Sequence, residues 1–232
     1  MGAINHGVPK NLCLYLKHLA SINNFIETGT YLGDTAKWSS AYFVNSYSIE
    51  KSQVMYEKAV SKHKGSKVNF ILGDTREKLP QILSTLNDRT IFWLDAHWSG
   101  GYTYGEKDEC PLLEELLLII KRINFEDLFI LIDDARLFLA PPPSPHNAGG
   151  WPNIQEIVGL FDKNKCFIII HDDVLIIVPI LYKIKLIKFI QNEVTNSNLW
   201  MNQVKGMLFQ DSKLFMSLIK GMVNNIKTSK KD

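Results

Sequence analysis

Residues 25–35 read Phe25-Ile26-Glu27-Thr28-Gly29-Thr30-Tyr31-Leu32-Gly33-Asp34-Thr35. Two apolar residues with strand character run into an acid, then two glycines four apart, then a helix-like segment. Glycine accepts positive φ in a tight turn and lets the backbone approach a ligand closely. A helix start adds free N–H groups and positive dipole potential. The stretch therefore predicts a strand–turn–helix junction at which backbone meets a ligand, with Glu27 supplying charge for a cationic group.

The same grammar repeats downstream. Strands are expected at 25–26, 47–49, 68–72, 90–94 and 128–132, ending in or next to Glu27, Glu50, Gly73-Asp74, Asp95 and Asp133-Asp134. Helical spacing is expected over 11–22, 35–43, 52–62 (with Ser52 as N-cap), 75–86 (interrupted by Pro80) and 110–122. The strands lack strict apolar–polar alternation, the pattern of strands buried on both faces. Alternation of strand and helix predicts a parallel sheet covered on both sides, and ligands of such sheets collect at the carboxyl ends of the strands. Asp is a routine helix cap; five successive acid-bearing strand ends predict an acid-lined site. Residues 166–178, Cys166-Phe-Ile-Ile-Ile-His-Asp-Asp-Val-Leu-Ile-Ile-Val178, hold two β-branched runs too close for a helical crossover, so they pair as an antiparallel hairpin. The fold class is α/β: a Rossmann-like, doubly wound, mostly parallel seven-stranded sheet with a C-terminal antiparallel hairpin and helices on both faces.

The 232-residue chain is 46% hydrophobic and 22% charged with a net charge of +2, ordinary for a globular protein and no polyanion binder. Cys13, Cys110 and Cys166 are far apart, giving neither a disulfide framework nor a zinc motif. The first ten residues have no apolar core, and no apolar run is long enough to span a bilayer, so a cytoplasmic location is expected. Residues 1–182 are expected to form the ligand-binding domain. From Ile180 to Asp232 there are nine lysines and three acids. Residues 183–232 are accordingly expected to be a basic amphipathic helical extension that packs on the domain, joins copies in a homo-oligomer or touches an anionic membrane surface. Two long connections, 98–109 and 135–152, follow acid-bearing strand ends and are expected to be lids. Trp98, Trp151, Tyr102 and Tyr104 within them are candidates for stacking on an acceptor or for loop packing. Glu114 and Glu115 are expected on a solvated helix face.

The ligand class follows from the strand ends. A dinucleotide site wants G-x-G-x-x-G, whereas Tyr31 occupies the middle position here. Glu27 for a cationic group, Glu50 for ribose hydroxyls and Asp74 for an exocyclic amine suit a nucleoside carrying a positive group; S-adenosylmethionine has those parts and no phosphate. At this point the chain resembles class I S-adenosylmethionine-dependent methyltransferases. Glu27-Thr28-Gly29-Thr30-Tyr31-Leu32-Gly33 is similar to that family's E/D-x-G-x-G-x-G motif, departing from it at Tyr31. The resemblance implies cofactor contacts from Glu27, Thr28, Gly29, Thr30, Tyr31, Gly33, Thr35, Glu50, Lys51, Gly73, Asp74, Thr75 and Asp95. Residues 91–101 (IFWLDAHWSGG) and 130–136 (ILIDDAR) resemble metal-dependent O-methyltransferases of the macrocin type, which act on sugar hydroxyls. That likeness implies Mg²⁺ on Asp95, Asp133 and Asp134. His97 stands where that pattern has a second acid, as a ligand or a general base, so Asp95 and His97 are the catalytic candidates. The expected function is methyl transfer to a hydroxyl of a small polar acceptor, a sugar or a glycan or natural-product precursor, with no nucleic-acid partner. An NAD-dependent oxidoreductase or epimerase, and a non-catalytic assembly subunit, are the alternatives.

Overall fold

A computed structural model describes residues 7–98 and 108–198 of the chain. Seven strands form one sheet: β1 (Asn24–Thr28), β2 (Asn45–Glu50), β3 (Val68–Leu72), β4 (Thr90–Leu94), β5 (Leu128–Ile132), β6 (Cys166–His171) and β7 (Val174–Pro179). Their order across the sheet is β3-β2-β1-β4-β5-β7-β6. The first five are parallel, and β7 runs antiparallel to both β5 and β6. The hairpin closes on Asp172 and Asp173, both with positive φ, as a two-residue hairpin turn requires. Helix α1 (Lys10–Ala20) precedes β1, and between the strands lie α2 (Asp34–Ser39), α3 (Gln53–Lys62), α4 (Thr75–Thr85), α5 (Leu112–Arg122), α6 (Arg136–Leu139) and α7 (Ile154–Gly159).

Burial follows position in the sheet. Every residue of β1, β4, β5 and β7 is buried, and β5 and β7 accordingly read as unbroken apolar runs. Edge strands β3 and β6 are mostly half-exposed. Successive side chains point to opposite faces, and β1 shows both. Phe25 meets Trp38 and Phe43, with ring centroids 6.2 and 5.3 Å away. Ile26, on the other face, joins a core with Leu79, Leu83, Leu116 and Ile119 from α4 and α5. Ser52 caps α3 by accepting from the Met55 N–H, as its position predicts. Helix α4 continues through Pro80 rather than breaking there.

The glycines of the first turn take the expected positive φ and also serve the packing of the fold. Gly29 has φ +85°, and a Cβ there would lie 2.2 Å from the Asp95 carbonyl oxygen. Gly33 has φ +75°, and a Cβ there would crowd His63, Phe70 and Ala59. The space each leaves is filled by protein backbone or side chains. Gly29 thus lets the β1 end lie against the β4 end, which draws Glu27 and Asp95 to one edge.

Of the two units into which the chain divides, Met1–Lys183 and Ile184–Asp232, the first holds the sheet. Of the second, residues 184–198 are described and are helical. Among the described residues no helix is long and apolar enough to cross a membrane.

Replacing Gly29 by Ala adds a backbone collision to the cost of a left-handed φ and should destabilise the fold by at least about 2 kcal/mol. Gly65 also has positive φ but nothing within 4 Å of a new Cβ, so Gly65→Ala should cost only about 1 kcal/mol. Urea unfolding of the two variants checks the difference; equal losses would contradict the packing role of Gly29.

Candidate active site

The carboxyl ends of β1, β2, β4 and β5 open into a cavity of about 1010 Å³, room for a nucleoside-sized ligand and a second small molecule. One end is built by the first turn. Glu27 is 2% exposed and accepts from the Ser48 hydroxyl at 2.5 Å, which lies 2.6 Å from Thr30 Oγ1. Burial pushes the Glu27 carboxyl up to about 8, a rise that Ser48 only partly offsets, so in the ligand-free chain it is a buried neutral acid. Glu50 accepts from the Tyr31 N–H at 2.9 Å on one oxygen and from the Ser52 N–H at 2.8 Å on the other. Tyr31 takes φ +50° without a glycine, and its amide serves Glu50. Each Glu50 oxygen retains lone-pair capacity, so both remain open to hydroxyl donors.

Asp74 is differently placed. It caps α4 through the Arg76 N–H at 2.9 Å, pairs with the Arg76 guanidinium at 2.9 and 2.7 Å, and meets Lys51 Nζ at 2.7 Å. The hydrogen bond to Arg76 above all holds its carboxyl well below the usual range. Four donors use the lone pairs of one carboxylate, so no free acceptor is left for an exocyclic amine. Asp108 joins this cluster through Arg76 and Lys51.

The other end is centred on His97, which is 9% exposed. Its Nε2 lies 2.9 Å from Asp134 Oδ2, and its Nδ1 lies 3.7 Å from Asp95 Oδ1. Asp134 sits at φ +53°, a strained conformation for a residue with a side chain. Its other oxygen accepts from Arg136 at 2.7 Å. Arg136 is itself held by Asp173 in the hairpin turn, through its side chain and through its N–H at 2.9 Å. Neighbouring acids are thereby driven apart. For Asp134, burial opposes ionisation, but the hydrogen bonds from His97 and Arg136 outweigh it and hold the carboxyl below its usual range. Asp133 lacks such partners, and burial followed by the Asp134 charge raises it to about 6. Asp95 is raised well above the ordinary carboxyl value by burial and then by Asp133.

Of the expected site residues, Glu27, Gly29, Thr30, Tyr31, Gly33, Thr35, Glu50, Lys51, Asp74, Thr75, Asp95, His97 and Asp134 line the cavity. Thr28, Gly73 and Asp133 do not. The Thr28 hydroxyl points away and donates to Glu115 at 3.3 Å. A Cβ on Gly73 would meet the Lys78 side chain. Asp133 is 1% exposed and accepts from the Asp134 N–H. The magnesium set fits only in part. Asp133 Oδ2 is a buried oxygen without a hydrogen bond, a hard donor of the right kind. Asp134, however, is committed to His97 and Arg136, and among the described residues no three His, Cys, Asp or Glu side chains are placed to hold a metal ion. The expected three-acid site is not formed.

Sequence reasoning missed Arg136, Asp173, Glu109 and His146. It also misplaced Glu115, which is 1% exposed. Burial raises its carboxyl to about 8, against weaker hydrogen bonds from Thr75 and Thr28. Trp98 and Trp151 are 7% and 8% exposed; Trp151 packs against Phe138, His97 and His146, which is loop packing rather than an open stacking platform. Tyr102 and Tyr104 lie outside the described residues.

The fold is similar to that of solved methyltransferases. The chain is similar to an O-methyltransferase from Bacillus cereus in complex with SAH, with TM-score 0.52 and 15% identity over 75% of this chain and 82% of that one. It is also similar to the O-methyltransferase TomG from Streptomyces achromogenes, involved in tomaymycin synthesis and in complex with SAM, with TM-score 0.51 and 16% identity over 75% and 80% of the two chains. At such identities the likeness is one of fold. No protein-family model matches the chain, and no curated protein matches it.

Glu27 and Glu115 generate a pH signature. The folded chain keeps each proton up to about pH 8, whereas an unfolded chain releases it near the usual 4.5. Their favourable contribution is therefore complete below pH 4.5 and is lost as pH rises to 8. In urea unfolding at pH 5 and pH 8, Glu27→Gln should gain stability relative to the parent chain at the higher pH. An unchanged difference between the two pH values would contradict the buried neutral acid.

Proposed function

We propose that the chain is an S-adenosylmethionine-dependent methyltransferase acting on a hydroxyl of a small polar acceptor, of the sugar class. The observation that carries the reading is the arrangement of one cavity. The Glu27–Glu50 turn stands at one end, and an imidazole gripped by a carboxylate stands at the other. The fold likeness supports it, and the resemblance of residues 91–101 and 130–136 to macrocin-type enzymes favours a sugar. Arg136 and His146, which line the acceptor end, suit a polar molecule.

In this reading Glu50 holds the ribose hydroxyls, and Glu27 lies near the amino-acid end, where a cationic amine would draw its proton off. The acceptor oxygen attacks the methyl carbon in line with the sulfonium. The O–CH₃ bond forms as the S–CH₃ bond breaks, leaving the neutral thioether. His97 takes the hydroxyl proton. With Nε2–H donated to ionised Asp134, the Nδ1 lone pair is the base, and Asp134 stabilises the imidazolium that results. Holding both reactants supplies much of the rate, and a positioned base adds about 10²–10⁴-fold. The proton transfer uses His97 rather than magnesium, because both Asp134 oxygens are held by His97 and Arg136. The NAD alternative is weakened by Tyr31, whose amide faces Glu50 rather than a pyrophosphate.

Calorimetry with S-adenosylhomocysteine and with NAD separates the readings: binding is expected for the first only, and binding of NAD alone would overturn the proposal. With methyl-tritiated S-adenosylmethionine and a panel of monosaccharides and nucleotide sugars, His97→Ala should lower label transfer by about 10²–10⁴-fold while S-adenosylhomocysteine still binds. Unchanged transfer would remove His97 as the base.

A further inference from the structure

Glu109 has no part in the chemistry above, yet it is 6% exposed and its carboxylate is surrounded by donors from one distant segment. The Trp151 indole Nε1–H donates to it at 2.6 Å and the Asn147 N–H at 2.9 Å; His146 Nδ1 lies at 3.2 Å. Its backbone carbonyl accepts the Trp98 N–H at 2.7 Å. One residue therefore ties Trp98 to the segment that carries His146, Asn147 and Trp151. Burial acts against the charge, but the hydrogen bonds from Trp151, Asn147 and His146 outweigh it and hold the carboxyl below its usual range.

The held groups reach the acceptor end. The Trp151 ring lies 5.4 Å from the His97 ring, centroid to centroid, and 6.0 Å from Phe138. The His146 ring lies edge-on to Trp98 at 5.2 Å and to Trp151 at 5.3 Å. His97, Trp98 and His146 all line the cavity. Asp134 fixes one edge of the His97 ring through a hydrogen bond, and the Trp151 ring packs against it. The cofactor end is built separately, through Ser48, Tyr31 and Ser52.

We propose that Glu109 is a positioning residue for methyl transfer: by clasping Trp151 and His146 it fixes the ring of the base His97 and the wall against which the acceptor sits. This rests on the methyltransferase reading of the same cavity. Glu109 touches neither cofactor nor reacting atoms; it acts through Trp151. A neutral amide in its place would keep the volume and lose the charge that makes these hydrogen bonds strong.

The test compares Glu109→Gln and Glu109→Ala in the full chain. In Glu109→Gln, the Trp151 indole N–H resonance, assigned with Trp151→Phe, should move upfield. The His97 ring resonances should shift, and amide exchange over residues 146–151 should quicken by about tenfold or more, as expected for loss of a charged hydrogen bond. Glu109→Ala should exaggerate each change. S-adenosylhomocysteine affinity by calorimetry should stay within about twofold of the parent, as expected when no cofactor contact is lost. Unmoved Trp151 and His97 resonances in a folded Glu109→Gln variant would overturn the clasp. Failure of the parent chain to bind S-adenosylhomocysteine would overturn the proposal through the reading beneath it. The two failures are distinguishable because the resonances and exchange rates are read without cofactor.

Discussion

Parallel strands in register carry their carboxyl ends to one edge, and in this chain that edge is crowded with acids. Glu27, Glu50, Asp95, Asp133 and Asp134 are brought together there, most of them out of water. Buried like charges cannot all ionise, so each acid is settled by its donors. Ser48 serves Glu27, two backbone amides serve Glu50, and His97 with Arg136 serves Asp134. Glu27 is pushed towards the neutral form despite Ser48, and so are Asp133 and Asp95, which have fewer donors. The outcome is a rim with one firmly ionised carboxylate beside an imidazole, the combination that makes a histidine a competent base.

Much of this was legible in the sequence because it follows from local pattern. Strands β5 and β7, buried on both faces, read as unbroken apolar runs, and the His171-Asp172-Asp173 interruption left no room for a crossover. Acids directly after strands had to fall on the carboxyl edge. The signal for Glu115 was also present: Leu112, Glu115, Leu116 and Ile119 share one helical face, so an acid at that spacing lies with the buried stripe.

What escaped the sequence depends on contacts between distant segments. Glu109 meets Trp151 across 42 residues, and Arg136 meets Asp173 across 37. No periodicity in either segment announces the other. Asp74 stood at the expected strand end, but only the rotamer of Arg76 shows that its oxygens are taken. Gly29 reads as a turn glycine, whereas the neighbour that requires it is the backbone of Asp95, just past β4 and 66 residues later.

A crystal structure grown with S-adenosylhomocysteine would show whether this rim grips an adenosyl sulfonium cofactor. Density is expected in the cavity with the ribose hydroxyls on Glu50, the amino-acid end beside Glu27 and the sulfur directed towards Asp95 and His97. A cavity left vacant at millimolar ligand, or density that places the ribose away from Glu50, would contradict it.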